Sequence, residues 1–314
     1  GYWQGRDFSS VFTSVNDLRD EERAVLDQFD VPAWATGLTW RSRHWLGDQH
    51  EFLLTLDGRL SEGETNERFR NLGNGFTRLR QAGGQRSEMG AALEHTWHAT
   101  STVSLKSSVR LDHARDHSGE ERTWDIENGA PLTDDGFSSE RDWQASGRLA
   151  VQWEPSEEWK LHWSGFTGTR RPTLNELYRP FRVGNDITLA NAQLESERLW
   201  GTTLGIDWRP VDAWSLRLEG FYHRLDDAIA NVTLTEGGGT VQPWGFIPAG
   251  GSGRQRRNLE EVTITGLESS LTWRNDDGWR LETGYLLTDS EVRHSVDQPG
   301  LQGRSLAQMP THQA

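Results

Sequence analysis

Pairs of tryptophan six residues apart, each pair enclosing a short polar turn, recur along the chain as WEPSEEW (Trp153 to Trp159), WRPVDAW (Trp208 to Trp214) and WRNDDGW (Trp273 to Trp279). Fainter copies are WHATSTV, with Val103 in place of the second tryptophan, and WRSRHWL at Trp40. The first tryptophans follow one another at intervals of 55 to 65 residues. A fixed period of this kind marks a repeated supersecondary unit. Between the turns apolar residues alternate with polar ones, the pattern of a strand with two unlike faces. Trp143, Ala145, Gly147, Leu149, Val151 and Trp153 share one face, and Gln144, Ser146, Arg148, Ala150 and Gln152 the other. Trp159, Leu161 and Trp163 oppose Lys160 and His162, and Trp214, Leu216 and Leu218 oppose Arg217 and Glu219. Each repeat therefore holds two antiparallel strands, joined by a short turn at one end and a long connection at the other.

This reading gives an all-β chain of about 11 strands, near 34–44, 50–60, 86–98, 101–115, 139–154, 157–169, 195–209, 213–230, 258–274, 278–292, and a last one starting near 304. The long connections, 61–84, 117–139 and 235–257, are polar and Gly-rich and read as loops. Trp143 and Trp153 are ten residues apart on one face, about 33 Å along a strand, or roughly 25 Å after barrel tilt. That is the height of the apolar band of an antiparallel transmembrane β-barrel, with short periplasmic turns, long extracellular loops and an aromatic girdle at each interface. Trp143, Trp153, Trp159, Trp208, Trp214, Trp273 and Trp279 are the expected interface aromatics. Trp163 falls deeper on the apolar face, where an indole N–H has no expected partner. A soluble β-sandwich or propeller is the competing architecture, but it has no need of tryptophan rims.

Composition limits function. The net charge of −14 argues against nucleic acid as a partner. With no cysteine there is neither a disulfide nor a thiolate metal site. No nucleophile elbow, His-Glu-x-x-His or phosphate-binding glycine loop occurs, so no enzyme, catalytic residue or cofactor is expected. His113 and His117 lie four apart on one strand, about 13 Å, too far to share an ion, so no metal site is expected. Arg254, Arg256 and Arg257, with Trp244 and Phe246 in the same long connection, are the candidate ligand contacts, since arginines attract an anionic metal chelate. Pairing with outer-leaflet phosphates or acidic loops is the alternative role for these arginines. Trp124 and Phe137 in an earlier connection either touch ligand or hold loops together.

TRRPTLNELY (Thr169 to Tyr178), followed by NAQLESERLWGTTLGIDW (Asn191 to Trp208), resembles a paired signature of TonB-dependent outer-membrane receptors. The matching positions are Arg170, Pro172, Thr173, Glu176, Leu177 and Tyr178, then Asn191, Leu194 and Glu197. Thr169, Arg171, Ala192 and Ser196 depart from it. The signature is expected to pin the path of a loop rather than to touch ligand. Residues 1–33 also look like a loop of this family. The resemblance implies the outer membrane of a Gram-negative bacterium and a barrel of about 22 strands around a plug. It implies import of a scarce ligand, a ferric siderophore or cobalamin or another nutrient, driven by the inner-membrane TonB complex through the plug. Residues 1–314 would then be barrel domain, incomplete at both ends, a piece of a longer protein in contact with outer-membrane lipid and lipopolysaccharide. A porin-like channel or adhesin without TonB coupling is the alternative.

Overall fold

The computed structural model describes residues 1–16, 18–71, 73–295, 299–306 and 308–314. The strands are β1 (Tyr2–Arg6), β2 (Ser10–Val15), β3 (Glu22–Asp30), β4 (Ala33–Leu46), β5 (His50–Asn71), β6 (Phe76–His98), β7 (Val103–Asp125), β8 (Pro131–Phe137), β9 (Glu140–Ser156) and β10 (Trp159–Arg170). After helix α1 (Leu174–Tyr178) come β11 (Phe181–Val183), β12 (Asp186–Leu189), β13 (Glu197–Val211), β14 (Trp214–Glu236), β15 (Gly239–Val241), β16 (Gly245–Ile247), β17 (Ser252–Arg274), β18 (Arg280–His294) and β19 (His312–Gln313). The long strands pair antiparallel in the order β4-β5-β6-β7-β9-β10-β13-β14-β17-β18. Among the described residues the two edges of this sheet do not meet, so the wall is an open part of a barrel.

The alternation resolves into two faces. Exposed Val109, Leu111, Trp143, Leu149, Trp153, Leu204, Leu218, Leu267 and Leu287 form the apolar one. Trp159 stacks on Trp208 at 5.6 Å, and Trp214 meets Trp273 at 6.3 Å, so the tryptophans of neighbouring repeats touch side by side along the rim of short turns. Cross-strand aromatic pairs like these add to strand pairing. The opposite face carries a ladder of ion pairs. Arg110 bridges Asp57 (2.8 Å) and Asp112 (2.6 Å), and His162 Nε2 stands 2.9 Å from Glu219. Trp163 corrects the sequence reading: its Nε1 donates to Thr202 Oγ1 at 3.0 Å. A threonine hydroxyl on the adjacent strand supplies the missing acceptor.

Three further expectations change. Residues 1–33 are not a loop. β1 pairs with β4, β2 with β3, and β3 with β5, so the segment adds a further pair of interrupted strands to the sheet edge. The long connections are mostly strand. β5 and β6, 22 and 23 residues long, stay paired up to Asn71↔Phe76. Their turn is closed by Asn71 Oδ1, which accepts from the amides of Gly73 and Gly75, both at positive φ that a side chain would strain. Likewise β7 runs on to Asp125 and pairs with β8, and β14 reaches Glu236 opposite Ser252 of β17. Beyond the apolar band both faces are polar, so alternation disappears although the hydrogen-bond ladder continues. Finally, the last strand is two residues, with Arg304 O and Thr311 O accepting single bonds along the edge of β18.

Candidate functional site

The matching signature lies in the segment between β10 and β13, and its residues organise themselves locally first. Thr173 caps α1 by accepting from Glu176 N (3.2 Å), while Glu176 Oε2 accepts from Thr173 N (2.7 Å), a capping box that satisfies two orphan amides. Arg170 grips the same carboxylate at 3.0 and 3.3 Å and also bonds Glu197. Glu197 in turn accepts from the amide of Ile229 (2.7 Å) on β14. Burial would raise the Glu176 carboxyl, but Arg170 and the Thr173 bonds outweigh it and hold it below the usual range.

The segment then fastens to strands far away in sequence. On one side Arg86 of β6, held by Asp116 of β7 at 2.5 and 2.8 Å, donates to Pro172 O at 2.7 Å. Tyr178, 2% exposed, packs on Phe137 at 5.0 Å and against the backbone of Gly84 and Gly119. A Cβ at Gly119 would lie 2.5 Å from the Tyr178 ring, so close packing requires glycine there. Burial, with the Asp116 charge, pushes the Tyr178 phenol up to about 12. Below the next residue, Glu67 is fully buried between two guanidiniums: Arg80 Nε at 2.7 Å, and Arg179 Nη2 at 2.5 Å. Burial opposes its ionisation, but the two arginines prevail and keep the carboxyl below its ordinary value. Neighbouring Glu121 is the reverse case: burial pushes it up to about 7 against the pull of Arg80.

On the other side Arg256 of β17 reaches the same helix. Its Nη1 donates to the carbonyls of Asn175 (2.5 Å), Arg179 (2.9 Å) and Glu176 (3.4 Å) at the end of α1, a second donor for Asn175 and Glu176, which also accept from the amides of Arg179 and Asn191. Asn191 Nδ2 donates to Arg256 O at 3.0 Å, and Asn191 N to Glu176 O at 3.2 Å. Leu177 and Leu194 bury together with Tyr178. All nine signature residues therefore lie in one strap that crosses from β5–β7 to β14–β17. Two of the departures serve the strap too: Arg171 Nη2 donates to Asp142 O (2.9 Å) and Ser196 Oγ to Asp142 Oδ2 (2.9 Å).

Of the sequence-predicted ligand residues, Trp244 and Arg254 are brought together, while Arg256 is withdrawn into the strap. Arg256 is buried and spent on helix carbonyls. Arg254 pairs with Asp186 at 2.8 Å, and its carbonyl accepts from Trp244 Nε1 at 2.7 Å. Arg257 Nε is 3.3 Å from Gln255 Oε1, and Phe246 is 57% exposed on β16. These arginines stand on a strand, not at the end of a loop. Phe137 holds the strap through Tyr178, while Trp124 stands opposite Leu79. His113 packs against Trp143 with its ring tilted, centroids 4.5 Å apart, and His117 Nε2 lies 3.3 Å from Ser87 Oγ, so the two histidines have different neighbours. Among the described residues no group of three or more His, Asp or Glu could hold a metal. Sequence reasoning missed Glu67, Arg80, Arg86, Asp116 and Asp142. Glu67 is 112 residues from Arg179, and no local spacing joins them.

The family model described as TonB dependent receptor-like, beta-barrel matches residues 1–314. Comparison with curated proteins found no match. Among solved structures, the ferric yersiniabactin uptake receptor FyuA from Yersinia pestis is similar with a TM-score of 0.69 at 16% identity, over 99% of this chain and 42% of that one. The copper transporter OprC gives 0.67 at 16% identity, over 90% and 40%. The closed form of the ferric-catecholate import receptor Fiu from E. coli gives 0.66 at 13% identity, over 99% and 47%. The chain thus spans less than half the length of these proteins, and the likeness is one of fold. With the family model matched from end to end, a wall of long antiparallel strands and the signature strap in place, the chain belongs to the TonB-dependent receptor β-barrel family.

Proposed function

We propose that the chain forms part of the wall of a Gram-negative outer-membrane receptor for TonB-dependent active uptake of a scarce ligand. A ferric siderophore is the first candidate, and cobalamin or another nutrient the second. The observation that carries this reading is the family match over all 314 residues. Support comes from the two faces: an apolar one rimmed by tryptophan suits lipid, and a charged one suits a wet interior. The similar structures include an uptake receptor for ferric yersiniabactin, an import receptor for ferric catecholate and a copper transporter, which favours a metal-containing cargo here.

In this reading the chain performs no covalent chemistry. Its β14–β17 extension gathers ligand through Phe246, Trp244, Arg254 and Arg257, while the signature residues and Arg256 keep the mouth in shape. Contact with the inner-membrane TonB complex belongs to a plug. The outward face meets outer-membrane lipid and lipopolysaccharide. Growth of a deletion strain across iron, cobalamin and carbohydrate sources tests the assignment. A defect confined to iron limitation is expected, and undiminished growth on every source contradicts it.

A further inference from the structure

Two arginines on the apolar face stand directly opposite each other. Arg115 of β7 and Arg141 of β9 are in register, one step beyond the pair His113↔Trp143. Side chains two apart share a face of a strand. Arg115 therefore continues the column of exposed Val109 and Leu111 and half-buried His113, and Arg141 stands in the column that Trp143 and Leu149 share. Both arginines are exposed. Like charges directly opposite in a sheet repel, and here no carboxylate relieves them. Among the described residues, Arg115 has only a 3.4 Å contact to Ser139 Oγ, and Arg141 has no ion pair or side-chain hydrogen bond. The acids adjacent in sequence, Asp116, Glu140 and Asp142, alternate to the other face, where Glu140 stands opposite Asp116, Asp116 holds Arg86 and Asp142 accepts from Ser196. On the β6 side Ser87 is in register with Arg115, and His117 Nε2 lies 3.3 Å from the Ser87 hydroxyl. Among the described residues neither guanidinium has an ion pair, in a chain with 47 acidic and 33 basic residues.

The geometry points to a phosphate-binding patch for an outer-leaflet lipid, made by Arg115 and Arg141 with Ser87 and Ser139, just beyond the Trp143 rim. A phosphate monoester carries two negative charges, which cancel the repulsion of the pair, and guanidinium forks match its oxygens. Lipid is the occupant because the patch continues the apolar column: acyl chains lie along Val109, Leu111 and Leu149, with the indole and imidazole of Trp143 and His113 at headgroup level. This rests on the outer-membrane placement proposed above.

The test uses the full-length receptor extracted from outer membranes, with retained lipid read by native mass spectrometry. Wild type is expected to retain bisphosphorylated lipid A and to release its dephosphorylated form. Arg115→Gln/Arg141→Gln should weaken retention by about tenfold or more, the effect of losing two charge-assisted bonds. Arg141→Lys, which keeps the charge without the fork, should lose less. Arg148→Gln, on the other face of the same strand, should change nothing, and all variants should melt alike. Equal retention of phosphorylated and dephosphorylated lipid by a receptor found in the outer membrane would overturn the inference alone. So would displacement of the lipid by inorganic phosphate at matching concentration, which would assign the patch to a free anion. Recovery of the receptor in the aqueous fraction would instead overturn the membrane placement, and the patch with it.

Discussion

Replacing Glu67 by Gln strikes the strap where it is most deeply held. The carboxylate is fully buried and is shared by Arg80 and Arg179, from β6 and from the residue that ends α1. Unit charges about 4 Å apart attract by about 4 kcal/mol at the effective dielectric of a partly buried site, and both guanidiniums are in hydrogen-bond contact with the carboxylate. Desolvation of three charged groups offsets most of that gain in the wild type. Removing only the carboxylate leaves two buried cations facing each other, and losing one partner of a buried pair costs about 3–5 kcal/mol. Glu121 softens the loss. Its carboxyl, pushed up to about 7 by burial with Asp135 and Glu67 contributing, ionises more readily once Glu67 is neutral. The lower end of the range is therefore expected, about 3 kcal/mol, or roughly a hundredfold rise in opening of the strap. Hydrogen exchange over residues 171–196 in the full-length receptor reads this directly. A Glu67→Gln/Glu121→Gln variant, without the substitute charge, should open further. If Glu67→Gln changes exchange by less than about threefold, the buried carboxylate does not hold the strap and the reasoning fails.

Acidity should act on the same strap from both sides. Glu67 has a depressed folded pKa, so its contribution is present above the ordinary value of 4.5 and is lost as pH falls through the folded one. Glu121 is raised to about 7, so the folded state binds the extra proton and stability declines as pH rises from 4.5 through about 7. Protection over 171–196, expressed relative to the intrinsic exchange rate at each pH, should be greatest near pH 4.5, and Glu121→Gln should remove the decline above it. Gly119→Ala drives a methyl into Tyr178 and should destabilise by about 1–3 kcal/mol in a melting assay, whereas Gly136→Ala, with open space around it, should be neutral. Arg256→Ala leaves Arg179 O without its donor, while Asn175 O and Glu176 O keep the amides of Arg179 and Asn191, and should loosen α1 by about 1–3 kcal/mol, read as faster proteolysis near residue 179. Trp153→Glu should lower the yield of receptor in the outer membrane far more than Glu157→Gln; equal yields would place Trp153 away from lipid.

The part of the fold legible in the sequence is the part with chemical contrast between faces. From Trp143 to Trp153 every second residue declares its side, and the register follows the tryptophan pairs. At Ser61–Asn71 and Gly119–Asp125 both faces are polar, so the same hydrogen-bonded ladder leaves no periodic trace. The same limit applies to the strap. TRRPTLNELY contains its own cap, and Thr173 with Glu176 can be read from spacing. Its anchors cannot, because Arg86, Glu67 and Arg256 are brought in by strands whose order the local sequence does not encode. Arg256 illustrates the cost of reading charge without burial: in sequence it is one of three clustered arginines, in the fold it caps a helix from below. Trp163 is the milder case, since its acceptor Thr202 lies 39 residues on, across one strand pairing.

Uptake of a radiolabelled ferric chelate by the deletion strain carrying the full-length receptor, compared between TonB-proficient and TonB-deficient cells, is the most direct measurement. Uptake that saturates and disappears without TonB is expected. Uptake that is equal in both backgrounds and rises linearly with concentration would make the barrel a passive channel and contradict the assignment.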